Sequence, residues 1–124
     1  MIELYLSISS DSSAFDKATQ QEIRYSFNNN KKLEEEFNRL KEDDKKFQEL
    51  LNDIQERPWA ITGSGKPEIL HREWAKTHLK DYLDNQGPVI SRRIDHKNRF
   101  VYQVGRRERQ GEIIVYAVSG HYDD

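Results

Sequence analysis

A change of hydrophobic period partway along the chain constrains its fold more than any other feature. Leu33, Phe37 and Leu40, then Phe47, Leu50, Leu51 and Ile54, recur at helical spacing. From Val89 the period drops to two, over Val89–Asp95, Arg99–Val104 and Glu112–Ser119. A helical stripe followed by three alternating runs specifies an α+β protein, with helices packed on an antiparallel meander. Asn29 or Asn30 is placed to cap the stripe and Pro58 to stop it. Glu42-Asp43-Asp44 interrupts the pattern, so two antiparallel helices joined near 42–45 are the preferred reading. One long helix with a coiled-coil seam, gapped only at Asp44, is the rival. The charge run Lys31–Lys46 reads as a solvated face.

Around this frame the signals are shorter. Residues 2–8 partly alternate and read as a strand ended by the polar run Ser9–Ser13. Ile23–Phe27 is a second short strand, and the pattern leaves open which of the two joins the main sheet. Residues 59–69 form a loop pinned by Gly63, Gly65 and Pro67. His71–Leu83 holds Trp74, Leu79, Tyr82 and Leu83 at helical spacing and is closed by Asn85-Gln86-Gly87-Pro88. Turns at 95–98 and 105–111 join the three later strands, the second with a cationic tip. At 124 residues one domain is expected. It divides into an extension at 1–29 with one or two strands, a helical hairpin at 30–57, and a half at 59–122 that carries the chemistry.

Composition narrows the function. The chain has no cysteine, which excludes a disulfide framework and thiolate metal sites and fits a reducing compartment. No apolar run approaches the roughly 18 residues of a membrane span, and the start at Met1 lacks the basic and apolar regions of a signal peptide. A cytoplasmic protein without membrane contact is the expectation. Residues 1–58 hold 9 Lys and Arg against 13 Asp and Glu, whereas residues 59–124 hold 11 against 9. Any surface for a polyanion therefore belongs to the second half.

That half also contains what metal-free cleavage of RNA requires: a base for the 2′-hydroxyl, cations for the phosphorane, and an acid for the departing 5′-oxygen. Glu68 stands in the Gly/Pro-bounded loop, where a carboxylate can be held beside a substrate. His121, two residues past Ser119, is the right type for the acid. Arg92, Arg93 and Arg99 lie on adjacent strands and can chelate a phosphate, but alternation forbids Arg92 and Arg93 from serving one site. Tyr122 can stack on a base or orient His121. The four histidines at 71, 78, 96 and 121 form no metal-ligand pattern, and no metal or cofactor is expected. Gly63-Ser64-Gly65-Lys66 lacks the spacing of a phosphate loop and reads as a tight turn. Taken singly, none of these signals is specific.

Their order together is. Gly65-Lys66-Pro67-Glu68-Ile69-Leu70, Ser91-Arg92-Arg93-Ile94, Asn98-Arg99-Phe100-Val101-Tyr102 and Gly120-His121-Tyr122 resemble, in sequence, the motifs of the YoeB/Txe toxins of the RelE superfamily. The resemblance covers roughly residues 44–122. It implies a RelE-like α+β domain, a helical hairpin on a curved, mainly antiparallel sheet of four to five strands. It also implies ribosome-dependent cleavage of mRNA and neutralisation by a cognate antitoxin, and a homodimer is a further expectation. By position, Glu68 is the base, Arg99 the main stabiliser, Arg93 its support, His121 the acid and Tyr122 the orienting aromatic. Arg92, Lys66, Arg72 and the turn cations Arg106, Arg107 and Arg109 are expected to hold RNA. Residues 71–88 are longer than the family's link and are read as an extra helical insertion. Asp123 and Asp124 follow the final His-Tyr and add negative charge beside it. The alternative is a non-catalytic RelE/ParE-like protein that acts only by binding, to a topoisomerase or to an antitoxin.

Overall fold

The computed structural model describes residues 23–58 and 62–118. The strand expected at 2–8, together with His121 and Tyr122, lies outside the described residues. Five strands form one sheet: β1 (Arg24–Ser26), β2 (Glu68–Leu70), β3 (Val89–Arg93), β4 (Arg99–Val104) and β5 (Glu112–Ala117). Their order across the sheet is β1-β5-β4-β3-β2, and every pairing is antiparallel except β1 with β5. Of the two early strand candidates, Ile23–Phe27 thus supplies a member of this sheet. Its Arg24 pairs in register with Glu112, and their side chains approach to 3.6 Å.

The helical stripe becomes two helices, α1 (Lys31–Asp43) and α2 (Lys45–Glu56), divided by a single residue. Asp44 has extended backbone angles, so its N–H still closes α1 onto Leu40 while its carboxylate accepts from Phe47 N–H at 3.0 Å and caps α2. Asp is a poor helix interior residue and a good N-cap, which is why the break falls there. Asn30 caps α1 in the same way through Leu33 N–H. The Gln48 amide donates to the Lys41 and Glu42 carbonyls, satisfying the end of α1. The rings of Phe37 and Phe47 meet edge to face at 5.4 Å. In one continuous helix ten residues would span about 15 Å, so the chain reverses and the coiled-coil rival fails.

Both faces of the sheet are covered. On one, Phe37, Phe47, Leu50 and Ile54 from the helices pack on Ile90, Phe100, Tyr102 and Ile113. On the other, a short helix α3 (Arg72–His78) lays Ala75, followed by Leu79, on Val89 and Val101, with Leu70, Trp74, Tyr82 and Tyr116 around them. This is the α+β arrangement that the change of period specified. Among the described residues no helix is long and apolar enough to cross a membrane.

Three boundaries move. The loop expected over 59–69 ends at Pro67, and Glu68–Leu70 pairs with β3 as an edge strand. The helix expected over 71–83 is seven residues long. Leu79 turns extended to reach the core, and Asp81 takes a positive φ, so the later apolar residues meet the sheet without a helix. β3 stops at Arg93 because the Asp95 carboxylate folds back on the N–H groups of Lys97 and Asn98, both at 2.8 Å. Those bonds hold the Asp95 carboxyl below its usual range.

Candidate active site

Register brings the polar residues of three strands onto the face that α3 partly covers. Glu68 pairs with Ser91, and Arg99 stands directly opposite Arg93. Directly paired residues share a face, so Glu68, Ser91, Arg93 and Arg99 project together. The Arg99 Nη1 donates to Ser91 Oγ at 3.1 Å and lies 3.5 Å from Glu68 Oε1. The Glu68 side chain is 62% exposed and that of Arg99 22%, so the carboxylate stands in solvent above a half-sheltered guanidinium. Arg93 is exposed, and its guanidinium pairs with no carboxylate among the described residues. Two arginines directly opposite each other repel. Such a pair next to one carboxylate carries excess positive charge, which an oxyanion can neutralise.

The neighbour of Arg93 has the opposite fate. Arg92 is fully buried beneath the sheet, on the α1/α2 face. Its guanidinium donates to Asp53 Oδ2 at 2.5 Å, to the Ser64 carbonyl at 3.1 Å and to Tyr102 Oη at 2.9 Å. The Tyr102 hydroxyl passes its own hydrogen to the Pro58 carbonyl. Burial alone would raise the Asp53 carboxyl, but hydrogen bonds and charge from Arg92 and Arg57 outweigh it and hold the group below the ordinary carboxylate range. Burial also raises the Tyr102 hydroxyl, which therefore stays protonated and able to donate. The expectation that Arg92 contacts RNA is corrected: alternation turns it inward, where it ties Asp53 of α2, the Arg57 and Ser64 carbonyls and Tyr102 of the sheet together.

This buried network holds the segment that delivers Glu68. Gly65, at φ +78°, accepts a hydrogen bond from Arg93 N–H at 2.7 Å, and a Cβ there would lie 2.6 Å from the Arg93 carbonyl oxygen. Only glycine fits so close to the end of β3. Lys66, also at positive φ, is exposed at the following position.

The remaining cations are not gathered here. Arg72 donates to Asp84, with Nη2 at 2.8 Å, and Lys76 joins them at 3.7 Å. Arg72 and Arg106 line a separate groove of about 500 Å³ with His71, Gln86 and Ile69, beside the outer part of β2. Arg106, Arg107 and Arg109 follow Val104, at the end of β4 opposite to Arg99, about 17 Å away along the strand. Arg109 is itself tied to Glu112 at 3.0 Å. The structure therefore unites Glu68, Arg93 and Arg99 and separates Arg72 and the turn cations from them. Asp53, Ser91 and Tyr102 escaped the sequence reading. A carboxylate four residues before Arg57 on a helix looks like a surface pair, and nothing local announces a partner 39 residues on. Ser91 alone carried a signal, as a small polar residue in an apolar strand.

No family model and no curated protein matches the chain. Solved structures do. The chain is 29% identical to a protein of the heterotetrameric YoeB-YefM toxin-antitoxin complex from Staphylococcus aureus, with 81% of this chain and 98% of that one covered at a TM-score of 0.52. To the YoeB dimer from the same organism it is 28% identical, with 82% and 99% covered and a TM-score of 0.52. With the YoeB/ParE toxin from Agrobacterium tumefaciens, at 23% identity, 81% and 100% coverage and a TM-score of 0.55, it shares the fold. With the Gly65–Leu70, Ser91–Ile94 and Asn98–Tyr102 motifs laid in order along it, the chain resembles the YoeB toxins in both sequence and fold.

Proposed function

We propose that the chain is the toxin of a toxin–antitoxin pair and cleaves mRNA on the ribosome without a metal ion. The observation that carries this reading is the juxtaposition of Glu68 with Arg99 at 3.5 Å and with the directly opposed Arg93. In the proposed reaction Glu68 removes the 2′-hydroxyl proton and the 2′-oxygen attacks phosphorus. Arg99, supported by Arg93, takes up the charge on the non-bridging oxygens. The bond from phosphorus to the 5′-oxygen breaks, and His121 protonates that oxygen, with Tyr122 orienting the imidazole. The products are a 2′,3′-cyclic phosphate, or the 3′-phosphate formed from it, and a 5′-hydroxyl. β5 supports the assignment of His121: Ala117 pairs with Val101, two residues from Arg99, and His121 follows four residues later in the sequence. Lys66 is a cation for the strand beside Glu68. A cognate antitoxin, and self-association into a dimer, follow from the likeness to the two Staphylococcus aureus assemblies.

The test is to add purified protein to programmed ribosomes in EDTA and identify the ends of the fragments. Cleavage with a 5′-hydroxyl, lost by roughly 10²–10⁴-fold in Glu68→Gln, is the expected result. Growth inhibition that survives unchanged in Glu68→Gln, with no cleaved mRNA, would establish the binding-only alternative.

A further inference from the structure

The segment 71–88 contributes aromatic surface to the same face, and this surface has no part in the acid–base chemistry. On α3, Ala75 and the following Leu79 point at the sheet. Helical spacing puts Arg72 and Lys76 on one flank and Trp74 and His78 on the other. The first flank is committed to Asp84, close to Gly87, whose N–H bonds the Val104 carbonyl. That is the end of β4 remote from Arg99. The Trp74–His78 flank is the one turned away from that end, with Trp74 packed in the cluster that holds Val89 and Val101.

The two rings are stacked, with centroids 4.5 Å apart and planes 11° from parallel. Trp74 is half-buried against the apolar cluster, and His78 is exposed. The His78 Nδ1 lies 2.9 Å from the Trp74 carbonyl. A carbonyl only accepts, so Nδ1 carries the hydrogen and the ring is held by that bond and by the indole behind it. The chain following the helix is anchored as well. Buried Gln103 donates to the carbonyls of Leu83 and Gly87, and the Tyr116 hydroxyl bridges Gln103 and Leu83 N–H. An aromatic ring with one face backed and the other in solvent, fixed before any ligand binds, is what recognition of an unpaired base uses.

We propose that the exposed face of His78, backed by Trp74, is a stacking subsite for a base of single-stranded RNA beside the scissile phosphate. This inference rests on the RNA-cleavage reading, and its test is chosen to separate the two. The probe is a short single-stranded oligonucleotide with 2′-O-methyl groups, which binds but cannot be cleaved. On titration the His78 ring protons should shift upfield in the NMR spectrum, and replacing one nucleotide by an abasic unit should abolish that shift. His78→Ala should weaken binding roughly ten-fold, whereas His78→Tyr, which keeps an aromatic face, should retain most of it. On cleavable RNA the His78→Ala loss should fall in KM more than in kcat. Unmoved His78 resonances, equal binding of the abasic probe, or no binding of the probe at all would overturn the proposal and leave a purely intrahelical stack. Base-dependent binding in a protein that cleaves nothing would keep the subsite and remove the nuclease.

Discussion

Consider removing the carboxylate beneath the sheet by Asp53→Ala. Arg92 has no exposed side-chain surface, and the Asp53 side chain is only 13% exposed. After the change the guanidinium keeps three neutral acceptors, Tyr102, Ser64 and Arg57, and loses its counter-ion. Taking one partner from a buried ion pair costs about 3–5 kcal/mol, because the remaining charge is left in a low dielectric. Asp53→Asn keeps an acceptor of the same shape and should cost less, about 2 kcal/mol. A domain of this size is stable by about 5–15 kcal/mol, so the alanine variant should melt roughly 10–25 °C lower. The sign of the pH dependence follows from the direction of the shift. Asp53 binds its proton less readily when folded, so its stabilisation is complete above the unfolded value of about 3.9 and disappears as pH falls through the lower folded value. Urea unfolding followed by circular dichroism should show the full deficit from pH 5 to 7 and a shrinking one below about pH 4. A double variant, Asp53→Leu with Arg92→Met, should be more stable than Asp53→Leu alone, since it removes the stranded charge. A deficit under about 1 kcal/mol at pH 7, or one unchanged on acidification, would refute the argument.

Three further outcomes are expected. Gly65→Ala meets the Arg93 carbonyl and a φ of +78°, so it should cost more than about 1 kcal/mol and speed amide exchange at Lys66 and Arg93, read by hydrogen exchange. His121→Gln should slow single-turnover cleavage by roughly 10²–10⁴-fold yet recover most of its rate on a 5′-thio substrate, whose leaving group needs no proton; absent recovery, His121 is not the acid. Arg107→Ala should lower the salt slope of ribosome binding by about one without altering the chemical step, whereas Arg109→Ala should loosen the β1–β5 edge, where it bonds Glu112 and Ser26.

Where the sequence was legible, a period repeated often enough to outweigh local noise. Seven apolar positions from Leu33 to Ile54 marked both helices, and the one gap at Asp44 marked the break. Strand alternation separated Arg92 from Arg93 in advance and left only the choice of which faced inward. β2 was hidden because three residues cannot show a period, and because Gly and Pro just before it signalled a loop. The end of α3 was hidden because Leu79, Tyr82 and Leu83 fit a helix whose residues in fact reach the sheet from extended chain. Within the site, Glu68 and Arg99 were legible only through the order of motifs, since each alone reads as an ordinary surface charge. Arg72 looked available to RNA because its partner, Asp84, lies 12 residues on and meets it only through the fold.

The Arg92-Arg93 doublet bears on how β3 finds its place. Sliding that strand by one residue would turn every side chain to the opposite face. The pocket lined by Asp53 would barely register the error, because an arginine would enter it either way. Discrimination falls to Ile94, buried in the correct alignment and moved to the exposed Arg93 position in the slipped one, and to Ile90, whose place beneath the two long helices would pass to Ser91. Exposing Ile94 forfeits about 1.5–3 kcal/mol, and Ser91 leaves the space of Ile90 unfilled. Two isoleucines therefore act as the proofreading of an otherwise ambiguous doublet. Polar changes at either should yield a misaligned sheet, with Arg93 locked inside the protein.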